Sequence, residues 1–169
     1  LKYGNTMIAV DTNLVGAYNL YNIMAAIAVC LIMDISPEII TIAMQNPLVI
    51  PGRLEVISAN TLGKIFIDYA HTPDAYEKLF STLSQLYSEE TAIYTVFGCG
   101  GNRDSCKRSE MAAIAEKYSD FVIVTTDNPR TESLEIINSD IVRGFKGNNY
   151  EIILDRKDAI YQMMDQMDG

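Results

Sequence analysis

The sequence predicts an α/β protein whose mostly parallel sheet is flanked by helices. Apolar residues make up 49% of its 169 residues, which is enough to bury a core. From residue 53 onward, apolar runs and amphipathic segments follow in the order strand, strand, helix, strand, helix, strand, helix, strand, helix. Such alternation is typical of parallel sheets that are covered on both faces, as in Rossmann-like folds.

The first 51 residues predict a short strand and two helices. The strand is expected over residues 7–10, and the strongly apolar segment 19–33 predicts a buried helix. Ser36 and Pro37 indicate the start of a second helix over 37–45, because serine caps helix N-termini and proline is favoured at the first helical position.

A connector with two prolines at 46–52 indicates a domain boundary, which we place after residue 51. Beyond it the sequence predicts five strands, four helices and a turn at 60–63. The strands are expected over 53–58, 65–68, 92–97, 121–125 and 150–154, and the helices over 72–87, from Lys107 and Arg108 onward, 133–144 and 156–167.

Charge and cysteine content limit the function classes. The net charge of −9 and the pI of about 4.5 argue against nucleic acid or an anionic membrane as the main partner. The longest apolar run, 24–33, ends at Asp34 and is too short to cross a bilayer. Three cysteines without a CxxC pair are typical of a reducing cytoplasm. Because the sequence opens at Leu1 and not at an initiator methionine, we expect a piece of a longer protein. The absence of a secretory signal favours a cytoplasmic location as well. The oligomeric state is left open.

Two arginines indicate a candidate site at the carboxyl edge of the predicted sheet. The strand at 92–97 leads through the glycine turn FGCGG to Arg103, and the strand at 121–125 leads into DNPR, which ends at Arg130. Open α/β sheets bind ligands at this edge, and arginine binds carboxylates with two parallel hydrogen bonds. We therefore predict a site for an anionic or zwitterionic small molecule, to which Asn128 can both donate and accept.

Structural interpretations of the same motifs stay open. FGCGG can be a plain strand-to-helix turn, since it lacks the spacing of a dinucleotide fingerprint or a phosphate loop. DNPR can also be a plain turn. The basic residues Arg103, Lys107 and Arg108 favour an anion site, but they can equally form the solvated face of a helix.

Five polar residues outside these loops are further candidates. Asp68 can accept hydrogen bonds from ribose hydroxyls or cap its loop, and Arg53 can reach a phosphate or be an ordinary surface residue. His71, the single histidine, precedes a helix N-terminus, which favours anions, although a lone histidine is more often structural. Asn19 and Asn22 can face one pocket or cap their helix.

Seven stretches carry a family resemblance. They are GAYNLYNIMAA (16–26), GRLE (52–55), DYAHTPDA (68–75), FGCGGNRD (97–104), KR (107–108), TTDNPRTE (125–132) and DRKDAI (155–160). In residues and order they resemble the Mur ligase family, the ATP-dependent ligases that form amide bonds in peptidoglycan precursor synthesis. The combination of DYAHTPD, FGCGG and DNPR is most similar to the branch that adds the third residue, a diamino acid.

The resemblance implies a mechanism and a set of cofactors. ATP phosphorylates the D-glutamate side chain of UDP-N-acetylmuramoyl-L-Ala-D-Glu, and the amino group of the diamino acid attacks the acyl phosphate. ATP and Mg²⁺ are the implied cofactors, with small-molecule substrates as the partners. Residues 1–51 resemble the end of the central ATP-binding domain, and 52–169 resemble most of the C-terminal amino-acid-binding domain.

The resemblance also assigns roles to single residues. The implied ATP contacts are Asn19 and Asn22 at the adenine, Arg53 at the phosphates, Asp68 at the ribose and His71 beside the nucleotide. The implied diamino-acid contacts are Arg103, Asp127, Asn128 and Arg130. The arginine of DNPR is similar to the version that binds the distal carboxylate of meso-diaminopimelate, with L-lysine as the alternative substrate.

Several family features are missing from the sequence. The phosphate loop Gly-Thr-Asn-Gly-Lys-Thr, the magnesium ligands, the modified lysine and the late Gly-Lys-Gly-His-Glu segment are absent, and Asn102 replaces a common aspartate. We therefore expect no catalytic or metal-binding residue in this segment and no turnover by it alone. The alternatives are a binding module without catalysis and a dinucleotide-dependent oxidoreductase, which the missing GxGxxG disfavours.

Overall fold

The computed structural model describes residues 1–4, 6–46, 50–59, 63–88 and 90–167. The chain divides into two compact units, of which the first comprises Leu1–Glu55 and Phe66–Asp68 and the second comprises Val56–Ile65 and Tyr69–Gly169. Parts of the predicted connector (47–49) and of the predicted turn (60–62) lie outside the described residues. The domain boundary after residue 51 stays a prediction.

The first unit is built on two helices. Its elements are β1 (Lys2–Tyr3), β2 (Thr6–Met7), α1 (Ala17–Ile32) and α2 (Pro37–Met44). The two strands pair antiparallel. Ile23 and Ile27 lie one turn apart on α1, and they pack with Ile8 and Ile40 in a small core.

Two expectations for this unit are wrong. Of the predicted strand 7–10, only Met7 belongs to a strand, β2, where it pairs with Lys2. Residues 8–10 are irregular, although Ile8 forms two hydrogen bonds with Leu1 (2.8 and 3.0 Å). The helix predicted at 19–33 corresponds to α1 and is buried on one side only, because the core of this unit covers only that side. On the opposite side Met24 is 46% and Ile32 80% exposed.

From residue 55 onward the elements follow the predicted order. They are β3 (Glu55–Ala59), β4 (Gly63–Ile67), α3 (Pro73–Leu86), β5 (Tyr94–Phe97), α4 (Cys106–Tyr118), β6 (Phe121–Val124), α5 (Leu134–Val142), β7 (Tyr150–Ile152) and α6 (Arg156–Met167). The strands β5, β6 and β7 form a parallel sheet in that order. The strands β3 and β4 pair in a separate two-stranded sheet.

Helices cover both faces of the parallel sheet. On one face, Met163 of α6 packs against Ile123 and Val96. The neighbouring residue Phe97 points to the other face, where its ring meets the Tyr76 ring of α3 edge-on at 5.7 Å. On that face α4 packs against both α3 and α5. The predicted fold class, a parallel sheet flanked by helices, is confirmed.

Candidate functional site

The candidate site lies at the carboxyl edge of the parallel sheet. Because the three strands are parallel, the loops that follow them leave from one edge. We call residues 98–105, after β5, the glycine loop, and residues 125–133, after β6, the DNPR loop. The Thr125 N–H donates to the Phe97 carbonyl at 2.8 Å, so the two loops begin side by side.

Hydrogen bonds join the glycine loop to the DNPR loop. The Gly101 N–H donates to the Asn128 carbonyl at 2.9 Å. Asn102 Oδ1 accepts from the N–H and the hydroxyl of Thr131, at 3.1 and 3.0 Å. Asn102 has a φ of 51°, a left-handed conformation that asparagine tolerates better than most residues. An aspartate at this position would accept the same two bonds.

The close approach of the two loops explains the glycines. A β-carbon on Gly101 would lie 1.9 Å from the Pro129 carbonyl oxygen, and one on Gly98 would lie 2.2 Å from the Thr125 carbonyl oxygen. No side chain fits against backbone at such distances. The FGCGG pattern therefore reflects loop packing and is not by itself evidence for a phosphate site.

Arg130 is presented by a tight turn. Asn128 Oδ1 accepts from the Arg130 N–H at 3.2 Å, so DNPR is a turn, and Arg130 has a left-handed φ of 52°. Its Nη1 donates to the Gly101 carbonyl at 2.7 Å. The turn and the functional interpretation are compatible, since the turn fixes where this guanidinium lies.

Arg103 extends into solvent from the glycine loop. It is exposed and makes no hydrogen bond or ion pair with any residue that the structure describes. That Arg103 and Arg130 converge on one cavity stays a prediction. A cavity of about 320 Å³ lies at the opposite edge of the sheet, beside Ile93 and Asp120, and contains neither arginine.

Arg108 does not belong to a solvated or anion-binding cluster. It is fully buried, and its Nη1 and Nη2 each donate a 2.7 Å bond to a carboxylate oxygen of Glu132. Nη1 also donates to Asp140 at 2.9 Å, and Nη2 donates to the Gly100 carbonyl at 3.2 Å. The bonds from Arg108 and from the Asn102 N–H lower the pKa of Glu132 to about 2. The prediction that grouped Arg108 with Arg103 and Lys107 is wrong, because two carboxylates already balance its charge.

Asp127 is tied to the third loop of this edge. Its carboxylate lies 3.9 Å from Nη2 of Arg156, and both side chains are about half exposed. Arg156 also donates from Nε and Nη2 to the Thr126 carbonyl, at 3.1 and 2.9 Å. Sequence reasoning missed Arg156, and the signal for it was its position in DRKDAI.

His71 lies in the second unit, just before α3. Its Nδ1 is 2.9 Å from the Tyr69 carbonyl, and because a carbonyl only accepts, Nδ1 carries the proton. In the neutral ring, Nε2 is then left as an acceptor on an exposed side chain. Lys107 donates to the His71 carbonyl at 3.0 Å, which ties this loop to α4.

Two charged residues of the first unit, Asp68 and Arg53, act on Tyr18. Asp68 Oδ2 accepts from the Leu54 N–H at 2.7 Å, which holds Leu54 at a left-handed φ of 46°. Burial raises the pKa of Tyr18, the charge of Asp68 raises it further, and the charge of Arg53 opposes the rise. Tyr18 therefore lies within the electrostatic reach of both predicted nucleotide contacts. Sequence reasoning missed it, although it directly precedes Asn19.

Asn19 and Asn22 are bonded to each other on α1. The Asn22 amide donates to Asn19 Oδ1 at 3.3 Å, and the buried Asn19 donates back to the Val15 carbonyl at 2.7 Å. The side chain of Asn19 is thus engaged within its own helix, while that of Asn22 is exposed.

The described residues contain neither a cluster of metal ligands nor a helix that could span a membrane. Within them, no group of three or more His, Cys, Asp or Glu side chains is placed to hold a metal ion. Of the helices described, none has the length and apolar character of a membrane span.

Known proteins resemble this chain along most of its length. The family model described as Mur ligase, glutamate ligase domain, matches residues 52–169. The chain is 40% identical over 154 residues to a UDP-N-acetylmuramoyl-L-alanyl-D-glutamate–2,6-diaminopimelate ligase of Bacillus cereus, and 43% identical over 161 residues to a ligase of the same name from Fusobacterium nucleatum. These alignments cover 91% and 95% of this chain but 31% and 33% of the relatives. The chain thus spans about a third of the length of the curated relatives it matches.

Solved structures resemble the chain to a similar extent. A structure of a UDP-N-acetylmuramoyl-L-alanyl-D-glutamate–2,6-diaminopimelate ligase matches with a TM-score of 0.60 at 35% identity, covering 89% of this chain and 31% of that one. A Mycobacterium tuberculosis folylpolyglutamate synthase complexed with ADP matches with a TM-score of 0.71 at 23% identity, covering 95% of this chain and 35% of that one. The second match shows a shared fold.

Proposed function

The chain belongs to the Mur ligase family, and from this premise we propose that it acts as part of an ATP-dependent ligase of peptidoglycan precursor synthesis. The proposed reaction joins meso-diaminopimelate to the D-glutamate of UDP-N-acetylmuramoyl-L-Ala-D-Glu through an acyl phosphate. The observation that carries the proposal is the hydrogen bonding between the glycine loop and the DNPR loop, because it holds two arginine-bearing loops together at the carboxyl edge of the sheet.

The DNPR loop and Arg103 offer the groups that a diamino acid requires. Among the described residues only Nη1 of Arg130 is engaged, so Nε and Nη2 can bind a carboxylate with two parallel bonds. Asp127 is exposed and can accept from an ammonium group, and the amide of Asn128 can donate to a carboxylate. Diaminopimelate has two carboxylates and lysine has one, so the pair of Arg103 and Arg130 favours diaminopimelate.

The nucleotide contacts are proposed in the first unit and at His71. Arg53 is assigned to the phosphates of ATP and Asp68 to the ribose, and their common influence on Tyr18 supports placing both in one site. Asn19 and Asn22 are assigned to the adenine pocket, where Asn19 orients Asn22 through the hydrogen bond between their side chains. His71 is assigned a place beside the nucleotide, with Nε2 as an acceptor.

The chemistry of phosphoryl transfer is proposed to need other parts of the full-length gene product. Residues 1–169 contain no Gly-x-x-x-x-Gly-Lys-Ser/Thr phosphate loop, so we propose that they do not turn over alone. Mg²⁺, when bound, neutralises phosphate charge, and its ligands are proposed to lie outside these residues. A reducing cytoplasmic location is supported by the cysteines, all three of which are free.

The reaction is tested with the full-length gene product, UDP-N-acetylmuramoyl-L-Ala-D-Glu, ATP and Mg²⁺. We expect ADP release that depends on added meso-diaminopimelate and is much weaker with L-lysine. ADP release that depends on neither amino acid would refute the proposed function, and a preference for lysine would refute the choice of substrate.

The role of Arg130 is tested by Arg130→Ala in the same assay. Loss of a two-bond carboxylate contact is expected to raise the KM for diaminopimelate roughly 10- to 100-fold and to leave the KM for ATP unchanged. The matched control is Arg143→Ala, which removes an exposed arginine of the same unit that pairs with Asp140 and makes no hydrogen bond or ion pair to the described residues of either loop. Equal KM values in the two variants would remove Arg130 from the site.

A further inference from the structure

Arg108 is a buried charge that contacts three separate segments. From α4, its guanidinium bonds to the Gly100 carbonyl in the glycine loop, to Glu132 in the DNPR loop and to Asp140 in α5. The bonds to Glu132 form a two-pronged fork of 2.7 Å contacts, the strongest and most directional arrangement for an arginine. One side chain therefore holds both loops at the carboxyl edge of the sheet.

Glu132 extends this network to the residues beside the two exposed arginines. Its Oε2 also accepts from the Asn102 N–H at 2.7 Å. Asn102 directly precedes Arg103, and Glu132 follows Arg130 by two residues. Asn102 and Arg130 have φ values of 51° and 52°, and such strained conformations persist only where surrounding contacts hold them.

We infer that Arg108 and Glu132 form a clamp that fixes the separation of Arg103 and Arg130, and that Arg108 is a positioning residue for recognition of the amino-acid substrate. Its contacts set the relative placement of the two loops, while its own charge is buried and does not reach a ligand. The identity of the ligand rests on the proposed function, whereas the clamp itself rests on the hydrogen bonds.

Stability alone does not explain an arginine at this position. Well-packed apolar residues often replace buried ion pairs without loss of stability. Arg108 also keeps a buried Nε with no hydrogen-bond partner among the described residues, which is unfavourable. An apolar side chain could fill the space, but it could not donate to Gly100 and Glu132 and so could not fix the two loops.

The clamp is tested in the full-length gene product with Arg108→Lys, which keeps the positive charge but cannot form the fork. Arg143→Lys is the matched control, because Arg143 pairs with the same Asp140 at 2.8 Å from an exposed position. We expect the KM for diaminopimelate to rise about 10-fold or more in Arg108→Lys, with the KM for ATP within about twofold of wild type. Both KM values should stay within about twofold in the control.

Hydrogen–deuterium exchange without substrates gives a readout that does not depend on activity. In Arg108→Lys, amides of residues 98–105 and 125–133 are expected to exchange faster, while the sheet and helices keep wild-type rates. Wild-type exchange in both loops, or faster exchange throughout the unit, would overturn the clamp. Should Arg108→Lys fail to fold, Glu132→Gln, which keeps the side-chain volume, replaces it. Faster exchange confined to the two loops would again support the clamp, and unchanged or unit-wide faster exchange would overturn it. Loop-specific exchange in a protein without diaminopimelate-dependent ADP release would uphold the clamp and refute the proposed function.

Discussion

The contact between the glycine loop and the DNPR loop predicts a large effect for Gly101→Ala. The new methyl group would lie 1.9 Å from the Pro129 carbonyl oxygen, whereas ordinary contact begins at 3.4 Å, so the loops must separate by about 1.5 Å. That shift would break the 2.9 Å bond from Gly101 to Asn128 and the 2.7 Å bond from Arg130 to Gly101. At about 1 kcal/mol for each bond and about 1–3 kcal/mol for overpacking, the free energy of unfolding should fall by about 3–5 kcal/mol.

The same displacement should impair amino-acid recognition. A misplacement of about 1 Å can cost about 100-fold in rate, so we expect kcat/KM for diaminopimelate to fall about 100-fold in the full-length protein, with the KM for ATP unchanged. Gly147→Ala is the control, because its methyl group would meet only the ends of the Glu116 and Asn149 side chains, 3.3 and 3.5 Å away, at the opposite edge of the sheet. Wild-type kcat/KM in Gly101→Ala would show that the spacing of the two loops does not govern recognition.

Two further predictions concern ionisable groups. Glu132 has a pKa lowered from 4.5 to about 2, so its contribution to stability is complete above about pH 4.5 and is lost as the pH falls towards 2. Glu132→Gln should therefore be less stable at pH 7 and lose less stability between pH 4.5 and 2, as measured by urea unfolding; an unchanged pH dependence would contradict the ion pair. Burial raises the pKa of Cys99 to about 11, whereas Cys106 is exposed. Iodoacetamide at pH 7.5 should thus modify Cys106 and spare Cys99 until the chain is denatured, and equal labelling in a peptide mass map would contradict this.

The order of the elements in the second unit follows from local patterns. Periodicity and capping residues predict helices well because their causes lie within a few residues: the Ser36 hydroxyl, for example, accepts from the Ile39 N–H of α2 at 3.4 Å. Pairing of strands is less local. The pattern at 7–10 is that of a strand, but the pairing of β2 with β1 ends at Met7, and where such a pairing ends cannot be read from the residues themselves.

The candidate site was predictable only in part. The parallel order of the strands brings the loops of Arg103 and Arg130 to one edge, as the sequence predicts, because that depends only on topology. The burial of Arg108 was not predictable, since its partners Glu132 and Asp140 lie 24 and 32 residues away and nothing nearby distinguishes it from Lys107. The glycines were ambiguous for the same reason: the backbone that requires them belongs to another loop.

The bonded loops favour recognition by a preformed site over one that orders on binding. Each loop has a residue in a strained left-handed conformation, Asn102 and Arg130, and each is held by contacts to the other loop and to the Arg108–Glu132 pair. Ordering a flexible loop reduces affinity by the conformational entropy that is lost. Here that entropy is lost on folding, so the proposed amino-acid ligand would need only to displace water and to satisfy Nε and Nη2 of Arg130 together with the exposed Arg103. The cost of this rigidity appears in folding, as strained backbone and a buried ion pair with one unsatisfied Nε.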